Sequence, residues 1–337
     1  MLIMKRRTIL INLAIINILF FIFCRQYILL QKSNLYGIEM EAVTKTITAQ
    51  KIIGSKLIGE EYTPITTTLG AHDAKILSQE PDFAAVIVDM LSRAGVQPGD
   101  VVAVNMSGSF PALNIAAFSA IDTMRIRPVV VSSVGASSWG ANRANYTWLD
   151  MEQSLVKAGI WQWKSNAVTI GGGQDQGHGL SEEGIADIHL AIARSGVPFM
   201  NSTYLTEAID KRIALYKEAN NGVLPNVLIN VGGNHVIFGE HGHNAFLRQG
   251  LTRGYRPSLV ISNGLAAEFI KTNRAVIHLI NIHRLAAEYG IYNGAQPGTS
   301  KVLYTTMLPS GLKVGISGWI IGMLLLLYYG KRKEWWQ

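Results

Sequence analysis

DVVAVNMSGSFPALNIAAFSAI, residues 100–121, begins as a short apolar run rich in valine, passes through Ser107, Gly108 and Ser109, and continues past a proline into a second apolar segment. β-Branched residues favour extended chain. A proline such as Pro111 suits the first turn of a helix, where a backbone N–H would have no partner anyway. The stretch therefore reads as a strand running directly into a helix, through a turn made of small polar residues.

The same order recurs outward from it. RPVVVSS (127–133), NAVTIGGG (166–173) and NVLINVGGN (226–234) read as three more strands. FAAVIVDMLSRA (83–94) has helical spacing and stops before Gly95. TWLDMEQSLVKAG (147–159) reads as a helix with Thr147 as cap and Asp150 in its first turn. Further helices are expected over 181–196, capped by Ser181, over 203–219, and over 273–290, ending at Gly290. Short apolar strands alternating with helices predict an α/β fold with a doubly wound, Rossmann-like parallel sheet covered on both faces. Each strand ends in small polar residues and glycine: SGS at 107, SSVGASS at 132, GGGQDQGHG at 171 and GGN at 232. In a doubly wound sheet these ends gather at one edge, where ligands bind.

The chain ends read differently. Residues 9–24, ILINLAIINILFFIFC, hold no charge, and the run extends through Arg25 to Leu30. That is about 22 residues, enough to cross a hydrocarbon core of roughly 30 Å. It is too long for a cleavable signal and no A-x-A-like site follows, so an uncleaved signal anchor is expected. Residues 314–330, VGISGWIIGMLLLLYYG, form a second, shorter run before KRKEWWQ. Lys5, Arg6 and Arg7 precede the first run, and Lys331, Arg332 and Lys333 follow the second. The positive-inside rule then places both termini in the cytoplasm and the middle on the other side of an inner or cytoplasmic membrane. The expected organisation is an anchor over 1–32, a helical stalk over 33–56, an extracytoplasmic domain over 57–312, a second span over 313–330 and a tail over 331–337.

Charge follows that division. The net charge is +7, but nine basic residues against Glu334 sit in the flanks, which leaves the middle at −1. The basic balance belongs to the membrane flanks and gives no sign of nucleic-acid binding. The single cysteine, Cys24, lies in the first apolar run, so the middle has no disulfides and must rely on its core.

Within the middle, the SGS turn is the sharpest candidate. Ser107, Gly108 and Ser109 at a helix start suit three roles: capping, an anion cradle, or a serine nucleophile. The stretch is no hydrolase elbow, because Asn105 stands where the first glycine belongs, and it is no phosphate-binding loop. In SSVGASSWGAN (132–142), Ser137 and Ser138 read as polar contacts beside a wall formed by Trp139. In GGGQDQGHG, Gly172 and Gly173 let backbone approach a ligand, and Asp175 and His178 are the groups there able to move a proton. In INVGGNHVIFGEHGH (229–243), Gly232 and Gly233 make a turn that aims Asn234 and His235 into the edge crevice. His235, His241 and His243 do not follow an established metal spacing, so no metal is expected, and no motif calls for a cofactor. Glu60 and Glu61, beside Tyr62 and three threonines, read as solvated loop carboxylates. Ser107, Ser109, His235 and His241 are the candidates for catalysis.

IGEEYTPITTTLG (58–70), SGSFPALN (107–114), SSVGASSWGAN (132–142) and TWLDME (147–152), in that order and with single flanking anchors, resemble the signature stretches of the poly-gamma-glutamate system protein family. The resemblance runs from about residue 57 to about residue 310. It implies a bacterial membrane protein associated with the synthesis and export of poly-γ-glutamate, distinct from the ligase that forms the amide bonds. It assigns no activity, so no catalytic residue transfers. The function it implies is that of an accessory component whose outer domain handles the anionic polymer or partner membrane proteins of the same machinery. The alternative is an exported hydrolase or transferase that trims, releases or attaches the polymer.

Overall fold

The computed structural model describes residues 11–12, 14–24, 32–240, 247–254, 262–304 and 310–332. It divides into two compact units, Gly37–Leu303 and a unit made of both chain ends, Met1–Tyr36 with Tyr304–Gln337.

The larger unit holds a six-stranded sheet and a small hairpin. The strands are β1 (Val101–Ser107), β2 (Arg127–Ser133), β3 (Asn142–Arg143), β4 (Tyr146–Thr147), β5 (Ala167–Thr169), β6 (Val227–Val231), β7 (Gly250–Thr252) and β8 (Ala275–Leu279). The main sheet runs in the order β5-β2-β1-β6-β8-β7, and β3 pairs with β4. All main-sheet pairs are parallel except β7 with β8. From β1 the chain winds outward through β2 to β5, then crosses back to β6 and winds the other way. The reversal between β1 and β6 is a topological switch point. The expected doubly wound α/β sheet is therefore present.

Side chains alternate across a strand. Ala103, Val131, Ala167, Leu228 and Val276 face one way and form a core with the helix Leu205–Glu218 and the helix Leu265–Lys271. Val102, Val104 and Met106 face the other way and are equally buried, so neither face of β1 meets water. The helix Pro111–Thr123 packs between β1 and the helix Phe83–Arg93. Its Phe118 stacks on Trp161 at 5.3 Å and on Trp148 at 6.1 Å. Local signals hold where a cap is involved. The Thr147 N–H donates to Asp150 at 2.7 Å in a capping box, and Ser181 accepts from the Gly184 N–H at 3.1 Å.

One expectation is overturned. Residues 273–290 are not one helix but β8 followed by the helix Ile282–Tyr289. AVIHL is buried at all five positions inside the sheet, and Asn281 breaks the chain in left-handed backbone at φ +51°. Burial between two strands outweighs the helical spacing of the apolar residues. The segment read as a stalk is a helix, Tyr36–Ile53, and its inner face is packed: Ala42, Val43, Ala49 and Ile53 are buried, and Lys45 pairs with Asp122.

In the smaller unit, residues 11–12 and 14–24 are helical and Ser310–Arg332 is a helix of 23 residues. The Trp319 indole donates to Asn17 at 2.8 Å, and Phe20 stacks on the same indole at 4.8 Å. Among the described residues, no helix is long and apolar enough to cross a membrane.

Candidate functional site

The C-terminal strand ends converge as the sequence implies. Parallel register sets Thr169, Ser133 and Ser107 side by side across β5, β2 and β1. Two residues earlier, Asn105, Asn230 and His278 form a second row across β1, β6 and β8. Both rows lie on the face covered by the helix Leu205–Glu218, because residues two apart on a strand share a face.

The lower row is a buried polar chain. The Asn105 amide donates to Asn230 at 2.6 Å, and Asn230 donates both to the Gly232 carbonyl at 2.6 Å and to His278 Nδ1 at 2.9 Å. An accepting Nδ1 assigns the proton of His278 to Nε2. Burial pushes the pKa of this imidazole down to about 3, so it stays neutral. Arg212 closes the other end. It donates to Asn105 at 3.2 Å and to Thr169 at 3.1 Å, and lies 2.8 Å from Asp175, which also accepts from Thr169 at 2.9 Å. Asp175, read from sequence as a proton carrier, is instead locked in this pair.

The serines of the SGS turn do not cap the following helix. The N-cap is Phe110 and no side chain bonds to that end. Ser107 accepts from the Ser109 N–H at 3.3 Å, and Ser109 Oγ accepts from the Ser137 N–H at 3.0 Å. Ser107 Oγ thus closes its own turn and Ser109 Oγ ties that turn to the loop after β2, which leaves the helix end uncapped. Gly232 sits at φ +92°, and a Cβ there would lie 2.6 Å from Ser107 Oγ, so the ends of β1 and β6 touch only because this residue has no side chain. Gly108 is buried; its N–H donates to the Ser133 carbonyl at 3.0 Å, and its carbonyl accepts from the Ala141 N–H at 2.7 Å.

The loop over residues 58–70 is laced onto the loop after β2. Thr67 N–H donates to Ala136, Ser138 N–H to Thr68 and Trp139 N–H to Glu60, at 2.9, 2.9 and 2.7 Å. Asn142 braces the same seam, accepting from the Glu60 N–H at 2.9 Å and donating to its carbonyl at 2.8 Å. Glu60 is paired with Arg143 on the surface, as a solvated carboxylate would be. Trp139, half-buried at φ +62°, meets His72 edge-on at 4.6 Å. Ser138 is buried with an unpartnered hydroxyl among the described residues.

On the far side of the site, Gly172 and Gly173 are half-buried in the loop after β5, and Gly233 is exposed after β6. The Gln174 N–H donates to His235 Nδ1 at 3.0 Å and joins those two loops. Asn234 caps the short helix His235–Phe238 through the Ile237 N–H at 3.2 Å. His241 and His243 lie outside the described residues.

Two residues central to the site were missed from sequence. Arg212 occupies the apolar stripe of its own helix, between Leu205, Ala208, Ile209 and Tyr216. A charge in that stripe is a legible sign of a buried partner. Lys75, on the helix His72–Leu77, is 2% exposed and reaches under the loops. Its amine bonds to the Ser109 carbonyl and, at 2.8 Å, to Ser137 Oγ, and it faces the Phe110 ring at 3.6 Å. Burial lowers its pKa to about 7. No pattern in HDAKIL marks it out.

Two cavities lie away from these residues. One of about 440 Å³ lies at the opposite edge, lined by Asp100, Asn226, Arg253 and Asn273, and another of about 680 Å³ lies beside Met40, Thr44 and Thr48. Neither contains a candidate residue. Comparison with known proteins leaves the site to its own geometry: no family model matches the chain, and neither does any curated protein or any solved structure.

Proposed function

We propose that this chain is a membrane-tethered accessory component of a poly-γ-glutamate synthesis and export system, and that its strand-edge site holds carboxylates of the polymer. One observation carries the reading: the site has a surplus of donors. Gln176 Nε2 on the loop after β5 and Asn234 Nδ2 on the loop after β6 are buried donor atoms of half-buried residues, unpartnered among the described residues. The uncapped N-terminus of the helix Pro111–Thr123 adds backbone N–H groups and a positive dipole end. A ligand rich in oxygen acceptors and poor in donors complements such a surface. Poly-γ-glutamate offers one carboxylate per unit. Buried donors left without acceptors cost about 1–3 kcal/mol each, which a bound carboxylate offsets.

Two further features support it. The stretches that resemble the poly-γ-glutamate system proteins, 58–70, 107–114 and 132–142, are hydrogen-bonded to one another at this one edge. Both chain ends also belong to one unit, with Asn17 satisfied across the helices by Trp319. The contact gives a polar side chain of an apolar segment a partner in protein, and the tether itself is taken from the apolar runs at 9–30 and 314–330 of the sequence. The proposed placement is two-pass, with both termini in the cytoplasm, the larger unit outside, and partner subunits of the machinery in the same bilayer.

The test is thermal unfolding of the full chain in detergent with γ-linked glutamate oligomers, beside α-linked oligomers of equal length and charge. Stabilisation by the γ-linked series, reduced in Asn234→Leu and Gln176→Leu, is expected. Equal response to both series, or none, overturns the polymer reading. Protease added to intact spheroplasts tests the placement: cleavage confined to a tag inside 57–312 is expected, and attack on the termini alone overturns it.

A further inference from the structure

We propose that Ser137 and Lys75 form a hydroxyl–amine pair able to break an amide bond through an acyl-serine. The proposal rests on the reading above only for its substrate class, an amide of a carboxylate-rich chain. The pair itself stands on geometry. Lys75 Nζ and Ser137 Oγ are 2.8 Å apart, within reach for direct proton transfer. The amine is held from a second side by the Ser109 carbonyl, and the Phe110 ring closes a third. Among the described residues no carboxylate pairs with it, and burial alone depresses its basicity. The groups that face it are the Ser109 carbonyl, the Ser137 hydroxyl and the uncharged Phe110 ring; Asp73, on its own helix, is turned outward to His283 at 3.2 Å. A lysine desolvated in this way is the form that serves as a general base.

The Ser137 backbone is fixed for the task. Its N–H donates to Ser109 Oγ and its carbonyl accepts from the Gly140 N–H at 2.9 Å. Gly70 lies directly above. Ser137 itself is buried at 6% exposure, and a Cβ on Gly70 would sit 3.2 Å from its Oγ and 3.4 Å from Lys75 Cε, so the absent side chain leaves that side of the pair free of a further covering group. Beside it, Leu69 is 85% exposed and Ser109 and Trp139 are half-buried, which makes the rim an approach from solvent.

The reaction balances without a further reagent. Ser137 Oγ attacks the amide carbonyl while its proton passes to neutral Lys75. The tetrahedral adduct then expels the amine, which takes that proton, and the acyl-serine remains. Water, or an acceptor amine, attacks the ester with Lys75 again taking the proton, and Ser137 Oγ recovers it on leaving. With water the sum is amide plus water giving acid plus amine; with an amine it is transfer of the acyl group.

The test uses the full chain in detergent and a fluorophosphonate, which bonds to an activated serine oxygen with loss of fluoride. Peptide mass mapping should find the adduct on Ser137, forming at a rate that rises with pH through a midpoint near 7. Lys75→Met and Lys75→Arg should each slow it at least 100-fold, since neither accepts the proton. Absence of a Ser137 adduct, or a wild-type rate that rises only above pH 9, overturns the proposal and makes Lys75 a permanent ammonium tying two loops. The wild-type pH profile decides even where the variants fail to fold. Adduct formation without oligomer binding leaves the pair standing and removes the polymer reading; oligomer binding without an adduct does the reverse.

Discussion

The Arg212 guanidinium lies 2.8 Å from the Asp175 carboxylate, with both side chains fully shielded from solvent. The pair bolts the helix Leu205–Glu218 to the glycine-rich loop after β5 and holds Asp175 in left-handed backbone at φ +67°. Removing one partner leaves an uncompensated buried charge, which costs about 3–5 kcal/mol. Arg212→Met should therefore destabilise the larger unit by about that much in urea unfolding followed by tryptophan fluorescence. The double variant Arg212→Met with Asp175→Asn should recover part of the loss. A double variant no better than the single would show that Asp175 does not sense Arg212.

His278 sets an acid limb. Its ordinary pKa of 6.5 is pushed down to about 3 in the fold by burial. Below pH 6.5 the unfolded chain takes up a proton that the native one refuses. Stability is intact above that pH and falls by about 1.4 kcal/mol per pH unit as pH drops toward 3. His278→Leu should lower the slope between pH 6 and pH 4 by about that amount, and an unchanged slope would exclude His278 as its source.

Glu152 works in the opposite sense. It is buried on the helix Trp148–Lys157, where burial raises its pKa from 4.5 to about 7 against the hydrogen bonds from Ser165. The native chain keeps this proton after the unfolded chain has released it. The contribution is fully present below pH 4.5 and lost as pH rises through about 7. Glu152→Gln, which still accepts from the Ser165 N–H and donates to its hydroxyl, should flatten stability over that window. It should gain about 3 kcal/mol above pH 8.

Gly232 tests the contact between β1 and β6. Alanine there meets both a left-handed φ and Ser107 Oγ at 2.6 Å, whereas alanine at Gly95 meets only the φ of +86° in open space. Gly95→Ala should cost roughly 1 kcal/mol, and Gly232→Ala about 1–3 kcal/mol more. Adding Ser107→Ala should restore part of the excess in Gly232→Ala. No rescue would mean the strand ends do not approach as described.

The parts of this fold legible from sequence are those set locally. The 100–121 unit, the capping box at Thr147 and the Ser181 cap depend on neighbours within a few residues. Strand-end glycines and serines gather at one edge because every parallel strand finishes there. What was hidden depends on distant chain. Residues 275–279 become a strand because β6 and β7 flank them, and the break at Asn281 uses a residue without glycine's signature. Lys75 is buried by loops from 34 and 62 residues further on, which no local pattern encodes. Of the three roles the sequence leaves open for Ser107 and Ser109, capping is the one the bonds exclude, since Ser107 Oγ accepts within its own turn and Ser109 Oγ accepts from the loop after β2.

The amide–imidazole row of Asn105, Asn230 and His278 also acts on how the sheet assembles. Sliding β6 by a single residue along its neighbours would turn Asn230 toward the opposite face, where Val104 and Ile277 stand, and strand two amides and a ring nitrogen without mates. Valine and isoleucine on both sides of these strands would tolerate such a slip; the three polar groups do not. They serve as an alignment key that penalises mis-threaded pairings of these strands.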